Sequence, residues 1–352
     1  MNIKITGSGS YIPTKVVTNV DFAKHHFLNE DGSDFPYPND IVAEKFLEIT
    51  GIQERRYVTE DLTTSDIATF AAEKAIQDAQ IDPETLDYII LAHNFGNVKH
   101  GAIQSDILPS LASRVKQKLK IKNPSCVAYD VLFGCPGWVE GVIQAQAFIK
   151  AGMAKKCLVI GAETLSRVVD IHDRDSMIYS DGAGATIIEA TEEVGGILSH
   201  ESATYAYNEA DYLFFGNSYN TSHDPDVRYI KMFGRKIYEF ALSNVPKAMA
   251  SCLEKSGISI HNVKKVLIHQ ANEKMDEAII QRFFRLYKQT PPEGVMPMSI
   301  HKLGNSSVAT VPTLYDLLIK GKIENQELQK GDVILFASVG AGMNINAFVY
   351  QM

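Results

Sequence analysis

Apolar and polar positions along this chain follow two distinct periods. From Thr64 to Ala79 the run T-S-D-I-A-T-F-A-A-E-K-A-I-Q-D-A opens on hydroxyl and acidic residues and then spaces its apolar side chains helically. That pattern predicts an amphipathic helix. Shorter apolar runs, Y-I-I-L-A at 88–92, C-V-A-Y-D-V-L-F at 126–133 and C-L-V-I-G-A at 157–162, predict strands. Strands alternating with helices imply an α/β fold with helices packed on sheets.

The pattern then repeats. I-D-P-E-T-L-D-Y-I-I-L-A-H-N at 81–94 matches I-S-I-H-N-V-K-K-V-L-I-H-Q-A at 258–271, a separation of 177 residues (81 to 258). F-I-K-A-G at 148–152 matches L-I-K-G-K at 318–322, a separation of 170 (148 to 318), and each ends a helix ahead of a strand. Two matches in one order at nearly one offset predict a duplication, with halves 1–190 and 191–352. No Pro- or Ser-rich linker parts them, so a shared interface is expected. The 170-residue offset carries Cys135 onto Asn305, and each follows a glycine and precedes a helix. Two such helix starts facing one cleft would present a thiol and an amide to the same space.

Composition narrows the function. The chain has 352 residues, 45% hydrophobic and 22% charged, the profile of an ordinary globular protein. A formal charge of -8 argues against a phosphate-tracking nucleic-acid binder. No apolar segment reaches the roughly 18 residues of a membrane span. M-N-I-K-I-T-G-S-G-S lacks a signal-length apolar run, so a cytoplasmic location is expected. Of the four cysteines, Cys126, Cys157 and Cys252 sit in apolar surroundings and read as small core residues. No C-x-x-C pair or His/Cys zinc spacing occurs, and no disulfide is expected.

Cys135 differs. In V-L-F-G-C-P-G-W-V-E-G (131–141) it stands at a predicted helix start, where the helix field and free backbone N–H groups lower a thiol pKa. Pro136 suits the first helical position. The alternative is an unreactive thiol in a tight turn. His269 ends the strand-like V-L-I-H-Q-A-N, where α/β sheets place ligands, and its imidazole can serve an oxyanion or a thiol proton, or simply be structural. Asn305 in L-G-N-S-S-V-A-T-V-P can donate to the same oxyanion or act as an N-cap. The turn S-V-G-A-G-M (338–343) offers a backbone N–H. Neither it nor S-D-G-A-G-A (180–185) has the residues of a phosphate or dinucleotide loop.

Taken in order, these motifs resemble the β-ketoacyl-acyl-carrier-protein synthase III family of the thiolase superfamily. The likeness runs from G-S-Y-I-P-T-K-V-V-T-N through T-G-I-Q-E-R-R, D-V-L-F-G-C-P-G, D-R-D-S-M-I-Y-S-D-G-A-G-A and I-H-Q-A-N to L-G-N-S-S-V-A-T-V-P and G-A-G-M. It implies a duplicated thiolase-like fold in five layers, α/β/α/β/α, and a homodimer. It also implies a triad of Cys135, His269 and Asn305, with an oxyanion hole from the backbone N–H groups of Cys135 and Ala341. The implied reaction is a decarboxylative Claisen condensation of an acyl thioester with a malonyl thioester, in fatty acid biosynthesis. Coenzyme A or an acyl carrier protein delivers the substrates, and no metal or redox cofactor is implied. Arg174, Lys274, Leu108 and Val339 fall at substrate-binding positions.

The chain also departs from the pattern. Lys45 stands where many relatives carry an adenine-stacking Trp, although Arg174 holds the place of an adenine-stacking Arg. Glu239 replaces a frequent Lys, while Lys274 keeps a second basic position. Val339 and Leu108 stand where Phe is common, and N-E-D-G-S-D-F-P-Y-P-N-D at 29–40 adds a loop near the expected entrance. These changes point to a longer or modified acyl donor on a carrier protein. A secondary-metabolite condensing enzyme of resorcinol or quinolone type, or a thioester hydrolase or non-condensing acyl-binding relative, is the alternative.

Overall fold

The computed structural model describes residues 1–352. The first half of the chain forms β1 (Asn2–Tyr11), β2 (Lys15–Thr18), α1 (Asn39–Thr50), β3 (Glu54–Tyr57), α2 (Thr64–Ala79), β4 (Tyr88–Ala92), α3 (Leu111–Lys118), β5 (Val127–Val131), α4 (Gly137–Lys150), β6 (Lys156–Thr164) and β7 (Asp181–Thr191). The second forms β8 (Gly196–Thr204), β9 (Leu213–Gly216), β10 (Tyr229–Met232), α5 (Gly234–Ser256), β11 (Val263–Ile268) and α6 (Glu273–Leu286). It closes with α7 (Ile300–Leu303), α8 (Thr310–Ile319), β12 (Val333–Gly340) and β13 (Asn344–Gln351).

Two sheets carry the architecture. One has strand order β1-β7-β6-β4-β5 and the other β11-β12-β13-β8. Read from its other edge, the second repeats the first four strands of the first sheet. In each, a parallel group (β6, β4 and β5; β11 and β12) meets antiparallel neighbours.

Alternation along single strands sorts the side chains into layers, because successive residues face opposite sides of a sheet. In β4, Ile89 and Leu91 join the core under α2 and α3, whereas Ile90 joins the core around α4. In β11 and β12, Val266, Ile268, Leu335 and Ala337 pack with α5 and α6. Leu267, Ile334 and Phe336 turn inward to meet α4 and α8. The result is the five-layer stack, with α4 and α8 between the sheets. Trp138 on α4, fully buried, lies 6.0 Å from both the Phe336 and the Phe348 ring. Cys126, Cys157 and Cys252 are each buried in a different layer's core, and all four cysteines are free thiols.

The helix expected over 64–79 and the strand at 88–92 form with those bounds. The strand expected over 126–133 is shorter: the chain leaves the sheet after Val131 and turns at Gly134 (φ 67°) to start α4. Beside this frame, helix α1 and the small sheet β9–β10 line a cavity, and the small sheet β2–β3 packs against α1.

Candidate active site

The C-terminal ends of parallel strands from both sheets meet at one cavity of about 630 Å³. Parallel α/β sheets collect ligands at such ends, because the connections to the following helices diverge there. β5 leads to Cys135, β4 to Asn94, β11 to His269, and β12 supplies Val339 and then Ala341. Asn305 enters from the turn before α8. The rest of the lining is mainly apolar, with Phe46 and Ile49 from α1, Phe95, and Phe214 and Phe215 from β9.

Cys135 and Asn305 occupy matching places, as the offset predicted. Gly134 (φ 67°) and Gly304 (φ 60°) each precede them in a backbone region that favours glycine. At Gly134 a side chain would also collide with the backbone of Ala341. The close approach sets the Cys135 and Ala341 peptides side by side. The Cys135 N–H makes no hydrogen bond within the protein and is free for a ligand.

Asn305 is not an N-cap: Ser306 and Ala309 hold the cap positions of the short turn Ser307–Ala309 and of α8. Its Oδ1 instead accepts the Ser307 N–H, two residues on, at 2.8 Å. That bond orients the amide and leaves Nδ2 as the group free to donate into the cavity. Its backbone is tied to the strip before β7, with Asn305 N–H donating to Ile178 O (3.0 Å) and Ser180 N–H donating to Asn305 O (2.8 Å).

Electrostatics correct one expectation. The helix start was expected to lower the Cys135 pKa, yet burial pushes the thiol up to about 11. Removing water from a thiolate in an apolar cavity outweighs the helix field. A hydrogen bond from Ser307 Oγ (3.4 Å) works in the opposite, stabilising direction. Burial pushes the His269 ring down to about 4, so the imidazole is neutral at pH 7. Its Nδ1 is buried without a partner, which leaves Nε2 as the nitrogen able to meet a ligand.

The remaining positions divide. Val339 lines the cavity, as does Arg174, whose guanidinium lies 4.7 Å from the Phe35 ring centroid. The aromatic face against Arg174 thus comes from the 29–40 segment, which with Tyr37 forms part of the cavity wall. Lys45 also lines the cavity. Leu108 and Lys274 do not. Leu108 is 87% exposed on a loop held by the Arg114 guanidinium, which donates to Leu108 O at 2.9 Å. Lys274 points outward at the start of α6, 4.0 Å from Glu48, while its neighbours Asn272 and Met275 face the cavity. The sequence reading passed over Asn94, Glu163 and Ser307. One signal was present for Glu163: it is a carboxylate at the end of the otherwise apolar run C-L-V-I-G-A-E.

Residues 129–206 match the family 3-oxoacyl-[acyl-carrier-protein (ACP)] synthase III, and residues 253–352 match its C-terminal counterpart. The beta-ketoacyl-[acyl-carrier-protein] synthase III of Aquifex aeolicus is 34% identical over 100% of both chains. That of Oceanobacillus iheyensis is 35% identical over 99% of this chain and 98% of its own. Among solved structures, the synthase III of Aquifex aeolicus superposes with a TM-score of 0.80 at 31% identity, covering 99% of this chain and 100% of its own. The Thermus thermophilus enzyme gives 0.81 at 28% identity, covering 99% of each chain.

Proposed function

This chain belongs to the 3-oxoacyl-[acyl-carrier-protein] synthase III family, and from that premise we propose that it condenses an acyl thioester with a malonyl thioester. Cys135 Sγ attacks the acyl carbonyl, and the backbone N–H groups of Cys135 and Ala341 stabilise the tetrahedral oxyanion. The carrier thiol leaves with the proton that the cysteine gives up, so this half-reaction is proton-neutral. A malonyl thioester then binds, and its thioester oxygen accepts hydrogen bonds from His269 Nε2 and Asn305 Nδ2. The bond to the carboxylate breaks as carbon dioxide departs, leaving its electron pair in an enolate. The enolate carbon attacks the acyl group and expels Cys135 Sγ.

One observation supports the reading above the rest: a thiol, a neutral imidazole and an oriented amide line a single cavity beside an unpartnered backbone N–H. Carbanion formation beside a thioester needs its oxygen stabilised, and two neutral donors supply that without adding charge. The apolar lining keeps water from the acyl-cysteine.

Phe35 on Arg174 covers the position that would otherwise stack on adenine, which favours donors carried by an acyl carrier protein over coenzyme A. A homodimer fits the edge strand β5, which pairs only with β4 and lies near exposed apolar side chains of Ile107, Leu108 and Leu132.

Intact-mass spectrometry tests the chemistry. Incubation with a panel of acyl-CoA and acyl-carrier thioesters is expected to leave an acyl adduct that is absent in Cys135→Ala and consumed only when a malonyl thioester is added. Adducts that decay at one rate with or without the malonyl donor would instead identify a hydrolase.

A further inference from the structure

A polar chain runs behind the nucleophile, through residues that the condensation chemistry does not use. Glu163 sits at the end of β6, fully buried. Its Oε1 accepts two bonds from Asn94, from the backbone N–H at 2.5 Å and from Nδ2 at 2.7 Å. Asn94 Nδ2 also donates to Ser307 Oγ at 3.1 Å, and Ser307 Oγ donates to Cys135 Sγ at 3.4 Å. The four side chains come from the ends of β4 and β6 and the turns before α4 and α8, so both halves of the chain contribute.

The direction of the chain follows from its buried end. Oε1 of Glu163 already receives a backbone N–H, so it acts as an acceptor whatever the carboxyl's charge, and any proton sits on Oε2. An acceptor there obliges the Asn94 amide to present Nδ2 and not Oδ1. Nδ2 carries two hydrogens, and the second points at Ser307 Oγ. Because Ser307 Oγ accepts that bond, its single hydroxyl hydrogen is free to point at sulfur. Ser307 itself is held at φ 53°, a left-handed conformation that non-glycine residues rarely adopt. Strain of this kind persists only where the surroundings enforce it, and here it aims Oγ at Sγ.

We propose that Asn94 and Glu163 are positioning residues for the nucleophile: they orient the Ser307 hydroxyl so that a one-way series of hydrogen bonds ends on Cys135 Sγ. The proposal rests on Cys135 being the residue acylated. Burial also pushes the Glu163 carboxyl up to about 8, so near neutral pH the chain ends on an uncharged acid and adds little negative charge beside the sulfur. As the pH rises past that value the carboxylate forms and opposes the thiolate, which PKa-lowering by Ser307 must then overcome.

The test reads the thiolate directly. Iodoacetamide alkylation of Cys135 is followed by intact mass at pH 7, where the Glu163 carboxyl is uncharged and the rate scales with thiolate fraction. Ser307→Ala and Asn94→Ala are each expected to slow alkylation about tenfold, the size of one lost hydrogen bond to a charged group. Both should lower the acylation rate with little change in KM. The double variant should be no slower than Ser307→Ala alone, because Asn94 acts only through Ser307. Glu163→Ala should resemble Asn94→Ala, and Glu163→Gln, which keeps an Oε1 acceptor, should recover most of the loss. Should Glu163→Ala not fold, Asn94→Ala and Glu163→Gln decide alone. Wild-type alkylation kinetics in Asn94→Ala, or additive effects of the Asn94 and Ser307 changes, would overturn the proposal. Failure of the wild type to form an acyl adduct at Cys135 would overturn the nucleophile assignment instead.

Discussion

At Cys135 and His269 a single cause, removal from water, acts on two groups of opposite charge type. The thiol is pushed up and the imidazole down, so both rest neutral near pH 7. For His269 this has a consequence for stability. The folded ring takes a proton only near pH 4, while the unfolded chain takes it near 6.5. The unfolded state therefore binds more protons between those values, and stability, complete above about pH 6.5, falls as the pH drops toward 4. His269→Asn is expected to flatten that slope, by on the order of 3 kcal/mol at pH 4, in urea midpoints measured across the window. For Asn305, whose Nδ2 is the free donor, Asn305→Ala should lower condensation about 10²–10³-fold while sparing acylation of Cys135, measured as separate half-reactions.

Elements decide where those residues stand. Gly304 has φ 60° and ψ −159°, a combination open almost only to glycine, and a Cβ there would press on Arg55 and Ser180. Gly304→Ala is expected to destabilise the fold by roughly 1–3 kcal/mol in a chemical denaturation curve and to lower condensation by displacing Asn305. The pairing of Gly134–Cys135 with Gly304–Asn305 was legible because duplication leaves a fixed spacing. The α2 helix and β4 were legible because their periodicity is local. By contrast, β9, β10 and α7 are four residues each, too short to carry a period, and α7 packs against β3 of the other half. Asn94 and Ser307 escaped notice for a related reason: their roles depend on neighbours 69 and 172 residues distant.

At the scale of the whole molecule, the cavity joins both halves and its wall is largely apolar. The volume of about 630 Å³ is shared between the carrier's arm, at the Arg174 and Phe35 end, and the acyl group, and the apolar lining should reward longer acyl chains. Each added methylene that reaches the lining is worth about 0.8 kcal/mol, or about fourfold in kcat/KM for acylation. A rate that is flat or falling beyond acetyl, measured across a chain-length series, would count against a long donor. The free β5 edge bears on assembly: sedimentation equilibrium is expected to give twice the chain mass, and Leu132→Glu, at a side chain 62% exposed, to shift the balance toward monomer.

The alternation of strands with helices and the two-fold repetition were set by the sequence alone, because periodicity and spacing survive without coordinates, and the family resemblance singled out Cys135, His269 and Asn305. Tertiary structure decided the rest. Loss of water is a property of the assembled cavity, so the direction in which the thiol titrates could not be read from its helix start. The Phe35 face against Arg174, the outward turn of Leu108 and the reach of Glu163 toward Cys135 likewise depend on which distant segments meet, and that is fixed only when the layers close on one another.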